Sequence, residues 1–150
     1  MSNRLKRKGR AKFLMVEGFV FTSKAFRSLS TVERAAYLEL KWRYDGFNNG
    51  RIVLSCRELA EALNVSKETA SRAIRALCAK NFVEPVKQST FNLKTKTATE
   101  WRLAEYKCDV TGELPSKQFM RWPEKNTVSS QGQTVSPEGQ PAQKMGGIRA

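Results

Sequence analysis

The side chains best placed to do chemistry in this sequence lie between residues 66 and 96, and their types favour binding over bond-making. Arg72 and Arg75 stand three apart in a helical stretch, preceded by Ser66, Lys67, Thr69 and Ser71. At about 100° per residue, Ile74, Leu77 and Ala73 fall within about 60° of Ala70, which leaves Glu68, Arg72 and Arg75 near the opposite side. A guanidinium forks onto O6 and N7 of guanine, and Lys, Thr and Ser near a helix start reach phosphate or base edges. The plain alternative is a solvated face with Glu68 paired to Arg72 at i, i+4, worth about 0.3–0.5 kcal/mol. Further on, Lys87, Lys94 and Lys96 place three cations and no acid in one connection.

Catalytic patterns are missing. With no histidine in the chain, Ser-His-Asp and Cys-His pairs and His-ligated zinc sites are excluded. Cys56, Cys78 and Cys108, separated by 22 and 30 residues, match neither a CxxC knuckle nor an even-numbered disulfide framework, and a reducing cytoplasm is the simplest reading. Cys56 and Cys78 lie in apolar helical stretches and are expected to be small buried hydrophobes. The carboxylates show no paired spacing with a base or metal partner, and no Gly-rich phosphate loop is present. The expectation is a non-enzyme without metal or cofactor.

Charge points to the partner. The 150 residues carry 27 Lys or Arg against 14 Asp or Glu, a formal charge of +13. Residues 1–12 hold six basic residues (Arg4, Lys6, Arg7, Lys8, Arg10 and Lys12) and no acid, and 67–103 hold eight basic against three acidic residues. An excess concentrated in one arm and one segment is the footprint of a polyanion binder. The arm has few apolar residues and is expected to be disordered until it meets phosphate. Residues 13–21 are interrupted by Glu17 and Gly18 and lack a cleavage site, and no run of about 18 apolar residues exists, so neither export nor a membrane span is expected. A cytoplasmic, nucleoid-associated location follows.

The elements that must position these side chains can be read in order. Residues 13–21 read as a short extended segment packed on the core, and 23–29 as a short helix. Ser30-Thr31-Val32-Glu33 is a capping box opening a helix to about Tyr44. Asp45-Gly46 and Asn48-Asn49-Gly50 end it, and 51–54 form a brief strand. Ser55-Cys56-Arg57-Glu58 is a second capping box whose helix, with Leu59, Ala60 and Leu63 inward, stops near Asn64. Ser66 caps a third helix, over 67–80, with Ala70, Ala73, Ile74 and Leu77 inward, and Asn81 stands where a left-handed residue is wanted. Strands over 82–86 and 97–103 flank an eleven-residue basic loop, 87–97, and Pro85 belongs on an edge strand. Trp101 is expected in the core, Trp42 on the basic side of its helix.

This divides the chain into a disordered basic arm (1–12), a domain (13–106), an extended segment (107–122) that Phe119, Met120 and Trp122 could dock, and a polar disordered tail (123–150). Two tandem seven-residue units at 127–140 in the tail are too polar and Gly-rich for coiled-coil heptads.

Helix, three-residue turn, helix, strand, basic loop, strand is the order of a winged helix-turn-helix, with Ala60 small where the helices meet and Val65 plugging their angle. The run Glu58-Leu59-Ala60-Glu61-Ala62-Leu63-Asn64-Val65-Ser66-Lys67-Glu68-Thr69-Ala70-Ser71-Arg72-Ala73-Ile74-Arg75-Ala76-Leu77 resembles the winged helix-turn-helix of bacterial regulators such as the MarR and GntR families, over roughly residues 30–103. Asn81 stands where those families commonly have glycine. The long dimer helices of MarR-type proteins and the effector domain of GntR-type proteins are not visible. The wider pattern, from Asn48-Asn49-Gly50 to Glu100-Trp101-Arg102-Leu103 and Phe119-Met120-Arg121-Trp122, looks like small bacterial helix-turn-helix proteins found near mobile elements, which also resemble winged-helix parts of plasmid and phage replication proteins.

The resemblance implies a mostly α fold with a small antiparallel β-hairpin (α+β). It implies a sequence-specific double-stranded DNA-binding protein, foremost a transcriptional regulator, reading the major groove with helix 67–80 and clamping with the wing. Two alternatives stand beside it: a plasmid- or phage-type replication or recombination accessory protein, and an RNA-binding or protein-interaction winged helix. Duplex DNA is the expected partner. A homodimer or DNA-assembled pair, and a protein partner for the tail, stay open.

Overall fold

The structure, a computed structural model, describes residues 11–89, 91–92 and 95–123, with backbone alone for 91, 92, 95 and 96. Residues 11–17 lead into two single helical turns, α1 (Gly18–Phe21) and α2 (Lys24–Arg27), the latter capped by Ser23. The expectation of an extended segment over 13–21 is therefore corrected, while its packing on the core stands, with Val16 and Phe19 against the core. Its second half is helical, and within it Val20 is the residue that is fully buried, while Phe13 and Met15 are exposed at 71% and 57%. The hydroxyl of Thr22 and the N–H of Ser23 close the α1 turn on carbonyls of residues 18 and 20, and such local bonds outweigh the β preference of Phe and Val in so short a piece.

Serines start the three long helices. Ser30 opens α3 (Thr31–Arg43) and Ser55 opens α4 (Cys56–Leu63), each in a complete capping box with Glu33 and Glu58. Ser66 opens α5 (Lys67–Ala79) by accepting from the N–H of Thr69. Asn64 and Asn81 take the left-handed conformation that ends α4 and follows α5, which asparagine tolerates better than most residues. The α4–α5 turn closes with the Val65 N–H donating to the Ala60 carbonyl at 3.0 Å.

A three-stranded antiparallel sheet has the order β1 (Ile52–Val53), β5 (Glu100–Leu103), β2 (Val83–Lys87). Pro85 thus sits on an edge strand, at a register shift between Pro85 and Lys87. The expected loop 87–97 is more ordered than a loop: β3 (Phe91–Asn92) and β4 (Thr95–Lys96) pair as a separate hairpin. The expected strand over 97–103 is correspondingly shorter and begins at Glu100.

Phe82 is the centre of the core, stacked on Phe119 at 4.8 Å and edge-on to Tyr37 at 5.6 Å. Phe119 comes from a 3-10 turn (Gln118–Arg121) beyond the sheet and is fully buried, whereas Met120 is half exposed. Trp101 is buried as expected, its indole N–H donating to the Leu54 carbonyl at 2.9 Å. Cys56 and Cys78 are only partly buried, and Cys108 is the buried thiol.

Asn49, read from sequence as a turn former, is a fully buried connector. Its amide donates to the carbonyls of Leu103, Tyr106 and Lys107, and its Oδ1 accepts from the Leu103 N–H at 2.7 Å. Asn49→Ala strands these buried groups and is expected to lower stability by about 1–3 kcal/mol, measured by urea unfolding. The neighbouring turn needs glycine: Gly50 has φ +101° and an added Cβ would lie 2.8 Å from Cys108 Sγ.

Candidate nucleic-acid interface

The candidate interface is built on α5, whose inner face is set by Ala70, Ala73, Ile74 and Leu77, all buried. Burying that stripe against α3 and α4 fixes the rotation of the helix, and so turns Lys67, Glu68, Arg72 and Arg75 outward. All four are exposed, and Thr69 and Ser71 flank them half-buried. The Glu68–Arg72 pair allowed by their spacing is not formed. Lys67, Arg72 and Arg75 have no ion-pair partner among the described residues, where the i, i+4 pair is Arg57 with Glu61. Ser66 is exposed but engaged: besides capping, its hydroxyl shares a 2.9 Å hydrogen bond with that of Thr69.

Other cations of the segment serve the fold. Lys80 donates to the Ser28 carbonyl at 3.0 Å and lies 3.5 Å from Glu33. Arg102 is held between Glu84, at 2.5 Å, and Glu113. Burial opposes the charge of Arg102, but hydrogen bonds to these two carboxylates prevail and raise its pKa. What remains outward is a set of unneutralised cations on one helix, the arrangement phosphate and guanine attract.

The base of the wing joins the same surface. A groove of about 460 Å³ is lined by Ser55, Cys56 and Arg57 at the start of α4, by Lys67 at the start of α5, and by Ser89 and Thr97–Thr99 of the wing. Helix start and wing base therefore converge on one side of the molecule. Lys87, at the end of β2, is exposed. Lys96 is placed in β4 by its backbone, and Lys94 lies outside the described residues.

Ser55, Arg57, Ser89 and Thr97 are not among the binding residues the sequence suggests. The Ser55 capping box marked a helix N-terminus, a place where anions settle, and was the available signal. Of the arm, Lys12 is described, its ammonium 4.1 Å from the ring centroid of Trp42. Arg4, Lys6, Arg7, Lys8 and Arg10 lie outside the described residues, as does the tail from residue 124.

Residues 48–84, from the turn before β1 into β2, match the family model described as winged helix-turn-helix DNA-binding. This segment is a winged helix-turn-helix DNA-binding domain. In the matched segment α4 and α5 are the helix-turn-helix and β2 begins the wing, which the β3–β4 hairpin and β5 continue beyond residue 84. A solved structure titled "N-Terminal domain of DNA binding protein" aligns with 21% identity and a TM-score of 0.43, covering 61% of this chain and 73% of that one. A search of the curated proteins finds no match. No helix among the described residues is long and apolar enough to cross a membrane, and no group of three or more His, Cys, Asp or Glu among them could hold a metal ion.

Proposed function

We propose that the protein binds double-stranded DNA in a sequence-specific way and regulates transcription, acting by binding and not by catalysis. In this reading α5 enters the major groove, where Arg72 and Arg75 fork onto base edges while Lys67, Thr69 and Ser71 meet phosphate or base edges near the helix start. Lys87, Lys94 and Lys96 of the wing hold the flanking backbone, and the arm from Arg4 to Lys12 adds affinity without sequence preference. The observation that carries the reading is the pair of exposed arginines on α5 with no carboxylate partner among the described residues. A helix serving only as a solvated surface gains nothing from leaving that charge unneutralised, whereas a duplex supplies the counter-charge.

Neutralising about eight to ten phosphates gives a slope of log K against log salt of about −7 to −9. Titration of a labelled duplex across a salt series measures it, and a slope shallower than about −3 would count against this footprint. The proposed site of action is the chromosome in the cytoplasm. A two-fold symmetric motif among selected duplexes would mean that two copies assemble on DNA.

A further inference from the structure

We propose that Glu68 is a specificity-determining residue of α5, accepting a hydrogen bond from the N4 amino group of a cytosine in the major groove. The inference rests on α5 being the recognition helix and adds to that reading an acid on its outer edge. The exposed residues 68, 72, 75 and 79 of α5 follow one another at i, i+4, i+7 and i+11, which is one line along a helix. Glu68 is thus at the N-terminal end of the same crest that carries Arg72 and Arg75, and the N-terminal part of such a helix is what approaches base edges.

The fold makes little use of this carboxylate. In α3 and α4 the acid stands at the third helical position and reaches back to the serine that caps the helix. In α5 the third position is Thr69, which bonds Ser66 by both its N–H and its hydroxyl. Glu68 is displaced one residue toward the N-terminus and is exposed, with no hydrogen bond or ion pair among the described residues. What remains to it structurally is a screened attraction to the helix dipole.

A carboxylate at that place is repelled by phosphate, so the crest can enter a groove only with Glu68 opposite a donor. In the major groove cytosine presents the N4 amino group, guanine and thymine present acceptors, and adenine sets its acceptor N7 beside its N6 amino group. Cytosine is the base whose edge opposes the carboxylate with a donor alone. Glu68 thereby lowers affinity for every sequence lacking that donor, and the gain is in discrimination.

Selection of bound fragments from random duplex DNA, run in parallel with the full chain, Glu68→Gln, Glu68→Ala and Arg72→Ala, tests this. The wild type is expected to enrich cytosine at one position. Glu68→Ala should lose about tenfold of that preference, Glu68→Gln should move it toward adenine, both should leave other positions intact, and both should bind random DNA more tightly. Motifs from both Glu68 variants identical to the wild type's, alongside a motif altered by Arg72→Ala, would overturn the role of Glu68 and leave the sequence-specific reading standing. No enriched motif for the wild type would overturn that reading itself. An A·T pair in place of a C·G pair at the position the variants change would overturn the assignment of cytosine.

Discussion

Lys41→Met is expected to destabilise the protein by about 3–5 kcal/mol, because it leaves buried carboxylates without their counter-charge. Lys41 is 4% exposed, and its ammonium lies 2.6 Å from both Glu17 and Glu105. Glu105 is equally buried; one of its oxygens accepts from Lys41 and from the Tyr37 hydroxyl at 2.5 Å, and the other has no hydrogen-bond partner among the described residues. Removing the ammonium therefore leaves Glu105 with a phenol as its sole donor. Thermal melts should show a fall of more than about 10 °C, and Lys41→Met with Glu105→Gln should recover part of it. The same ammonium ties Glu17, in the segment before α1, to α3.

The stability deficit of Lys41→Met should narrow as the pH falls. Burial alone would raise the Glu17 carboxyl, but hydrogen bonds from Lys41 and Tyr106 outweigh it and hold it below the ordinary 4.5. A group depressed in the folded state stabilises above its unfolded value, and that contribution is lost as pH falls through the folded one. The wild type should thus lose stability on acidification below about pH 4.5. Lys41→Met lacks the ammonium that helps to hold the Glu17 carboxyl down, and with it part of this contribution. The deficit of the variant is then largest at neutral pH and shrinks as the medium is acidified. Melts across a pH series decide the matter: a deficit that does not narrow toward low pH would mean that Lys41 acts through packing and not through charge.

Local rules written into short stretches were the legible part of this chain. Capping boxes at Ser30 and Ser55, the cap at Ser66, and the left-handed Asn64 and Asn81 depend on neighbours within four residues; α3, α4 and α5 begin, and α4 and α5 end, where those signals stand. The inward stripe of α5 was readable for the same reason, and with it the outward direction of Arg72 and Arg75. Long-range pairing was not legible. Nothing around Asn49 announces that its amide will tie together residues 103, 106 and 107, and Lys41 looks from sequence like one more surface cation. The sorting of cations into neutralised (Lys80, Arg102) and unneutralised (Lys67, Arg72, Arg75) depends on Glu33, Glu84 and Glu113 arriving from elsewhere in the chain. Residues 13–21 mislead because their apolar composition favours an extended segment, whereas local hydrogen bonds make Gly18–Phe21 a helical turn.

Arg72→Ala combined with Arg75→Ala is expected to weaken binding to the selected DNA site by about 2–6 kcal/mol, from about 1–3 kcal/mol for each bidentate base contact. The two side chains are one turn apart on a single crest, so their effects need not add, and the single variants are required beside the double. Because neither arginine is paired within the described fold, melting temperatures should stay close to wild type. Arg102→Ala is the matched control: it removes one positive charge from the wing but breaks contacts to Glu84 and Glu113, so it should lower stability while leaving base preference unchanged. Deleting residues 1–12 gives a third signature, a loss of affinity that is equal on selected and random duplexes and flattens the salt slope. Affinity measured on both DNA types at fixed salt separates the three. If the double arginine variant lost affinity equally on selected and random DNA, the arginines would be phosphate contacts, and reading of bases would have to come from elsewhere on α5.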